Sequence, residues 1–278
     1  MRLHVVNFLR PGVEAPGQSL GRIADYARRV EKAGFPGLWV TDSFGRGRAT
    51  LDPIVALGAI AAVTGRVELG TCVLQVPVRH PVELAHRIQS LQALSGGRLR
   101  LGVGSGSTRA DFDLVGADYA ERFKTLMAAL DIMGRAWSGE RLVSASGEGA
   151  LTPWPGTEGG PPVMLGAWRN RRWIVYAAER CAGWIASGLY SQWEELERGM
   201  KIYREAGGTR AILANVIVDL KGVSEATDRA QPATITLTGS LEEARQRLQR
   251  IRAIGFDDVL CVSPVGALDD IERVRDLL

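Results

Sequence analysis

Residues 67–107, VELGTCVLQVPVRHPVELAHRIQSLQALSGGRLRLGVGSGS, constrain the fold more than any other stretch of the chain. They read strand, helix, strand. Leu84, Ile88, Leu91 and Leu94 recur at helical spacing and stop before Gly96-Gly97, with an apolar run on either side. Two parallel strands need a crossover of about a dozen residues or more, and a helix supplies it. Both apolar runs lead straight into small or polar residues, at the strand ends where α/β folds gather their chemistry.

The same joint recurs. VEKAGFPGLWVTDS (30–43), AERCAGWIASG (178–188) and IRAIGFDDVLCVSP (251–264) each read as a helix end, a glycine and an apolar strand. Glycine past a helix closes it in a left-handed conformation. Leu20, Ile23, Ala27 and Val30 mark one helix, and Leu241, Ala244, Leu248 and Ile251 another, which Ser240 and Glu243 open as a capping box. IVALGAIAAV (54–63) is apolar all round and therefore largely buried, and Asp52-Pro53 before it reads as an N-cap followed by proline. The expected strands are 3–9, 37–41, 67–74, 98–103, 162–166, 183–187, 211–219 and 257–263. They lack alternation, as strands covered on both faces do. Eight such strands between helices imply a (β/α)8 barrel as a single domain over 1–278, with an open doubly wound sheet as the alternative. Residues 138–161 and 221–239 read as surface loops, and 107–123 as a lid running into a helix.

Composition narrows the function classes. The balance of 34 Lys+Arg against 31 Asp+Glu gives a net charge of only +3, which makes no case for nucleic acid or an anionic membrane surface. Three scattered cysteines, Cys72, Cys181 and Cys261, imply reduced thiols and a cytoplasmic protein. No secretory leader or membrane-length apolar run is expected. The three histidines, His4, His80 and His86, have no metal-site spacing. The glycines of LGVGSGS (101–107) do not open a helix directly, so they are no dinucleotide fingerprint; they do allow close backbone approach. LGAWRNRRW (165–173) ends a strand and starts a helix with Arg169, Arg171 and Arg172 in its first turn. Cations there oppose the helix dipole unless an anion such as phosphate joins them.

LWVTDSF, DPIVALGAIAAVTGRVELGT, VRHPVELAHRIQSLQALSGGRLRLGVGSG and RFKTLMAALDIMGRAW, within 37–139, together resemble the luciferase-like monooxygenase family, barrel enzymes that use FMN or the deazaflavin coenzyme F420. PPVMLGAWRN and CAGWIAS resemble the family's next two strands. The resemblance implies a bulge with a non-proline cis peptide at Cys72–Val73, against which the flavin ring rests. It implies cofactor contacts at Gly104, Ser105 and Gly106, and a flavin phosphate near Gly166, Ala167, Trp168 and Arg169. At the end of the second strand the family commonly carries histidine. Here Asp42 and Ser43 occupy those positions and are the candidate catalytic residues, Asp42 as ring or substrate partner or as loop cap.

The expected function is therefore a flavin-dependent oxidoreductase or monooxygenase acting on a small organic substrate, with FMN as cofactor. An F420-dependent hydride-transfer enzyme is the alternative. A non-catalytic flavin-binding protein and an unrelated sugar-phosphate barrel enzyme are the readings of other classes. The resemblance also implies a homodimer, through the helices near 54–63 and 84–95, with no nucleic-acid or membrane partner.

Overall fold

A computed structural model describes residues 1–7, 18–44, 47, 49–144, 147–220, 235–263 and 268–278. In chain order its elements are β1 (Arg2–Asn7), α1 (Gln18–Lys32), β2 (Gly37–Val40), α2 (Pro53–Ala61), β3 (Glu68–Thr71), β4 (Leu74–Gln75), α3 (Pro81–Leu94), β5 (Leu99–Gly104), α4 (Arg109–Val115), α5 (Arg122–Trp137), β6 (Leu142–Ser144), β7 (Gly147–Gly149), β8 (Val163–Gly166), α6 (Arg171–Arg180), β9 (Gly183–Ser187), α7 (Trp193–Glu205), β10 (Ala211–Asp219), β11 (Thr236–Thr238), α8 (Leu241–Ile254), β12 (Asp258–Val262) and α9 (Asp269–Arg275). The main sheet runs β11-β10-β12-β1-β2-β3-β5-β8-β9, and β9 also pairs with β10, which closes the ring of a (β/α)8 barrel. All eight expected strands are present within one or two residues of the sequence reading, except that positions 8 and 9 lie outside the described residues. The third strand is broken into β3 and β4 at Cys72-Val73. Both expected loops hold short strands: β6 and β7 form a hairpin within 138–161, and β11 lies in 221–239, of which 221–234 are outside the described residues.

By internal contacts the chain divides into two compact units. The first takes Met1–Asn7, Arg29–Trp39 and Val163–Leu278. Its core gathers round Trp184, wholly buried, with Tyr203 and Phe256 at 5.4 and 5.9 Å between ring centres. A β-carbon on Gly199 would stand 2.8 Å from the Trp184 ring, so glycine there lets α7 lie on the indole. The capping box at Ser240 and Glu243 is present, and Gly255 ends α8 at φ 103°. Gly183 departs from expectation. It has no left-handed conformation; instead a β-carbon there would strike the Met164 sulfur at 2.4 Å and the Arg210 carbonyl at 2.8 Å. It is glycine because neighbouring backbone and side chain leave no room.

One charged cluster marks the start of β12. Asp258, fully buried, accepts from Arg2 Nε (2.7 Å), Arg210 Nε (2.6 Å) and His4 Nε2 (3.0 Å). Trp39 Nε1 can only donate, so His4 Nδ1 accepts from it at 3.2 Å and the ring proton lies on Nε2, facing Asp258. Burial pushes the Asp258 carboxyl up, but the bonds from His4 and Arg2 and the charge of Arg210 outweigh it and hold the group well below the usual carboxylate range.

The second unit takes Val40–Pro162 with the described residues of Phe8–Arg28. Asp52 caps α2 by accepting from the Ile54 and Val55 amides, with Pro53 at the first helical position. Helix α2 is mostly buried, as its composition implies, with Val55 facing solvent. Leu84, Ile88 and Leu91 bury one side of α3, whereas Leu94 is exposed. Trp137 on α5 donates its indole N–H to the Ala85 carbonyl at 3.0 Å, tying α5 to α3.

Candidate active site

Strand β3 ends with Thr71 donating its hydroxyl to the Gly102 carbonyl (2.7 Å) and the Cys72 amide donating to the Val40 carbonyl (2.8 Å). The Cys72–Val73 peptide bond that follows is cis, at the position expected from the sequence. Burial pushes the Cys72 thiol up to about 12, so it is no nucleophile. Strand β4 then pairs Leu74 with Val103 and Gln75 with Gly104, which sets the end of β5 and the loop after it beside the cis peptide. A β-carbon on Gly104 would stand 2.6 Å from Val73 Cγ2. Gly106, at φ +79°, faces the Phe112 ring and the Gln75 side-chain oxygen, 2.7 and 2.9 Å from where its β-carbon would be. The close approach that these glycines permit is thus to the chain's own Val73, Phe112 and Gln75. Ser105 lies half-buried between them.

Asp42 enters from the end of β2, and both its carboxylate oxygens accept hydrogen bonds. Arg79 grips both oxygens, Nη1 to Oδ2 at 2.6 Å and Nη2 to Oδ1 at 3.0 Å, and the Gln75 amide donates to Oδ2 at 2.8 Å. The Asp42 side chain is 2% exposed and that of Arg79 13%. This is a buried bidentate pair, a geometry that fixes position strongly. The pair holds Asp42 at the end of β2, with two donors on Oδ2 and one on Oδ1. Ser43 is half-buried, and its carbonyl accepts from the Thr50 hydroxyl.

Three residues of this cluster were not singled out from the sequence: Arg79, Gln75 and Asp111. The Gln75 side-chain nitrogen donates to Asp111 Oδ2 at 2.8 Å, and Asp111 is wholly buried at the start of α4. The available signal was Gln75 itself, a long polar side chain inside the apolar run VLQVPV, followed by Arg79 before a helix that already has its proline start. Buried polar side chains of this kind come with partners.

The other expected residues lie in the first unit and are brought together there. Gly166 ends β8, Ala167 is buried and accepts the Trp184 indole N–H at 2.7 Å, and Trp168 is 39% exposed. Trp168 stacks on Tyr190, just beyond β9, with ring centres 4.6 Å apart and planes inclined by 26°. Asn170 caps α6 by accepting from the Arg172 amide. Arg169 is paired with Glu195 at 3.1 Å. Arg171 and Arg172, at the start of α6, have no ion-pair partner among the described residues, and the Arg172 guanidinium lies 5.2 Å from the centre of the Trp173 ring. None of the three histidines belongs to either set: His4 is locked to Trp39 and Asp258, and His80 and His86 are exposed on and before α3. Among the described residues no group of three or more His, Cys, Asp or Glu side chains could hold a metal ion, and no helix is long and apolar enough to cross a membrane.

Known proteins with the same architecture fall in one group. The chain is 35% identical over 137 residues to 4-hydroxyprotoasukamycin monooxygenase of Streptomyces nodosus subsp. asukaensis, covering 49% of this chain and 37% of the relative. It is 32% identical over 197 residues to F420-dependent glucose-6-phosphate dehydrogenase of Nakamurella multipartita, covering 65% and 55%. The chain thus spans about half the length, or less, of these curated relatives. The crystal structure of the oxygenating constituent of 3,6-diketocamphane monooxygenase from Pseudomonas putida, a type II Baeyer-Villiger monooxygenase in complex with FMN, superposes with a TM-score of 0.77 at 16% identity, over 99% of this chain and 96% of that one. The model of the luciferase-like monooxygenases matches residues 1–258, and the chain belongs to that family.

Proposed function

We propose that the protein is a flavin-dependent oxidoreductase that uses FMN to oxygenate a small organic substrate. The family includes FMN- and F420-linked proteins, so the choice of cofactor rests on this chain's own residues. The observation that carries it is the commitment of Asp42. Removing hydride from an alcohol needs a base within hydrogen-bond reach of the hydroxyl. Around Cys72–Val73, both Asp42 oxygens are held by Arg79 and Gln75, and Asp111 is bonded to Gln75. Oxygenation makes a smaller demand on protein bases, because the reduced flavin, when bound, supplies the electrons that activate oxygen.

Within the second unit, Val73 packed against Gly104 offers a flavin ring a backbone to rest on, and the buried Gln75 Oε1, without a donor among the described residues, supports a polar contact there. Taken by itself, the first unit suits a phosphate at the start of α6, where Arg169, Arg171 and Arg172 add charge to the helix N-terminus. Arg169 pairs with Glu195 in a largely exposed contact, which leaves it available. F420 is the second reading, favoured by the relatives that bear its name. Three cysteines outside any disulfide, two of them buried, support a cytoplasmic location, and the resemblance supports a homodimer through α2 and α3, which expose Val55 and Leu94.

Titration of the purified protein with FMN and with F420, followed by quenching of cofactor fluorescence, tests the proposal. FMN is expected to saturate and F420 to bind at least about tenfold more weakly. Saturation by F420 alone reverses the assignment. Absence of quenching with both removes the flavin reading.

A further inference from the structure

We propose that Gln75 is a positioning residue that locks the 104–106 loop and α4 against the Cys72–Val73 peptide. The inference rests on the reading that this peptide carries the redox ring. Gln75 is two residues past the cis bond and 3% exposed. It reaches in three directions. Its amide donates to Asp42 Oδ2 (2.8 Å), its carbonyl accepts from Arg79 Nη1 (2.9 Å), and its Nε2 donates to Asp111 Oδ2 (2.8 Å) and, more weakly, to the Asp42 carbonyl (3.4 Å). Its Oε1 meets no donor.

For stability alone the side chain is a poor choice. A buried amide oxygen without a donor is unfavourable, and leucine or methionine would fill a similar volume without one. What a hydrocarbon lacks is the bond to Asp111, the third residue of α4. Phe112, next in sequence, carries its ring to within 2.7 Å of where a Gly106 β-carbon would be, and the donorless Oε1 approaches the same point from the other side at 2.9 Å. One side chain therefore holds α4 through its nitrogen and walls the loop with its oxygen. Its backbone is held in turn by the Asp42–Arg79 pair. The loop's position beside the cis peptide depends on a short hydrogen bond to a carboxylate, which tolerates little displacement.

Three variants of the full chain test this: Gln75→Leu, Gln75→Glu, and Gln75→Glu with Asp111→Asn. The measurements are amide hydrogen exchange over 104–115, the thermal midpoint, and FMN titration with the visible spectrum of the bound ring. Gln75→Leu should raise exchange in 104–115 by about tenfold with the rest of the chain unchanged. The midpoint should fall by a few degrees because the buried Asp111 carboxylate loses a donor, FMN should bind about tenfold more weakly, and its spectrum should move toward that of free FMN. Gln75→Glu, which sets two carboxylates face to face, should be worse. The double variant exchanges donor and acceptor across the same contact and should recover most of the protection and binding. Wild-type exchange in Gln75→Leu, or a double variant no better than Gln75→Glu, overturns the proposal. If the wild-type protein takes up neither FMN nor F420, the functional reading falls, and the exchange data still decide whether Gln75 holds the loop.

Discussion

Replacing Arg79 by methionine should expose how the end of β2 is held. The substitution keeps much of the aliphatic stem and removes the guanidinium, leaving the 2% exposed Asp42 carboxylate with the Gln75 amide as a donor. Removing one member of a buried ion pair costs about 3–5 kcal/mol. Asp52 offers no compensation, since it contacts Arg79 rather than Asp42, at 3.6 Å and one-third exposed. An unfolding entropy of roughly 2.1 cal/mol/K per residue over 278 residues is about 0.6 kcal/mol/K, so the midpoint should fall by about 5–9 °C. Differential scanning calorimetry measures this directly. Adding Asp42→Asn to the variant removes the stranded charge and should recover part of the loss, a coupling of about 1–3 kcal/mol in a double-mutant cycle. A midpoint for Arg79→Met within about 2 °C of wild type, or strictly additive variants, would refute the assignment of this pair as the anchor.

Two further perturbations bear on the same framework. Gly104→Ala should weaken FMN binding by about tenfold, because its β-carbon would meet Val73 Cγ2 at 2.6 Å, and Val73→Ala in the same chain should restore it; an unaltered affinity for Gly104→Ala rejects the packing argument. Asp258→Asn should lower the midpoint by about 5–9 °C at neutral pH, since Arg2, His4 and Arg210 converge on that carboxylate. The Asp258 carboxyl is held below its unfolded range of about 3.9, so its contribution is complete above that pH and is lost as pH falls through the folded value. The gap between wild type and variant should thus be constant from about pH 6 to 8 and narrow below about pH 4; a gap that widens in acid contradicts the assignment.

Most of the framework was legible because it is periodic. Helices α3 and α8 show 3.6-residue spacing and glycine ends, and the strands read as unbroken apolar runs because both faces are covered. The Cys72–Val73 position followed from the resemblance rather than from spacing, since LGTCVLQ taken alone is an ordinary buried strand. What stayed hidden were partnerships. Asp42 could be read as a ring contact or a cap, and its grip by Arg79, 37 residues later, left no trace in the sequence. The arginines of 169–172 looked equivalent in sequence, yet Arg169 pairs with Glu195 on the next helix. Gly183 looked like a helix stop, and its real constraint comes from Met164 and Arg210 on either side in space. Non-local contacts of this kind leave no periodic trace.

The pairing of β1 with β12 has a consequence for synthesis. Arg2 and His4 bind Asp258, 256 and 254 positions further along, and Leu3 and Val5 find their register on Val259 and Cys261. A ribosome must therefore extrude everything from β1 to β12 before the two strands can meet, whereas the stretch from Val40 to Pro162 is contiguous and is released earlier. The nascent chain holds the apolar segment LHVV without that partner over the whole interval, which makes β1 a natural point of dependence on chaperones during biogenesis.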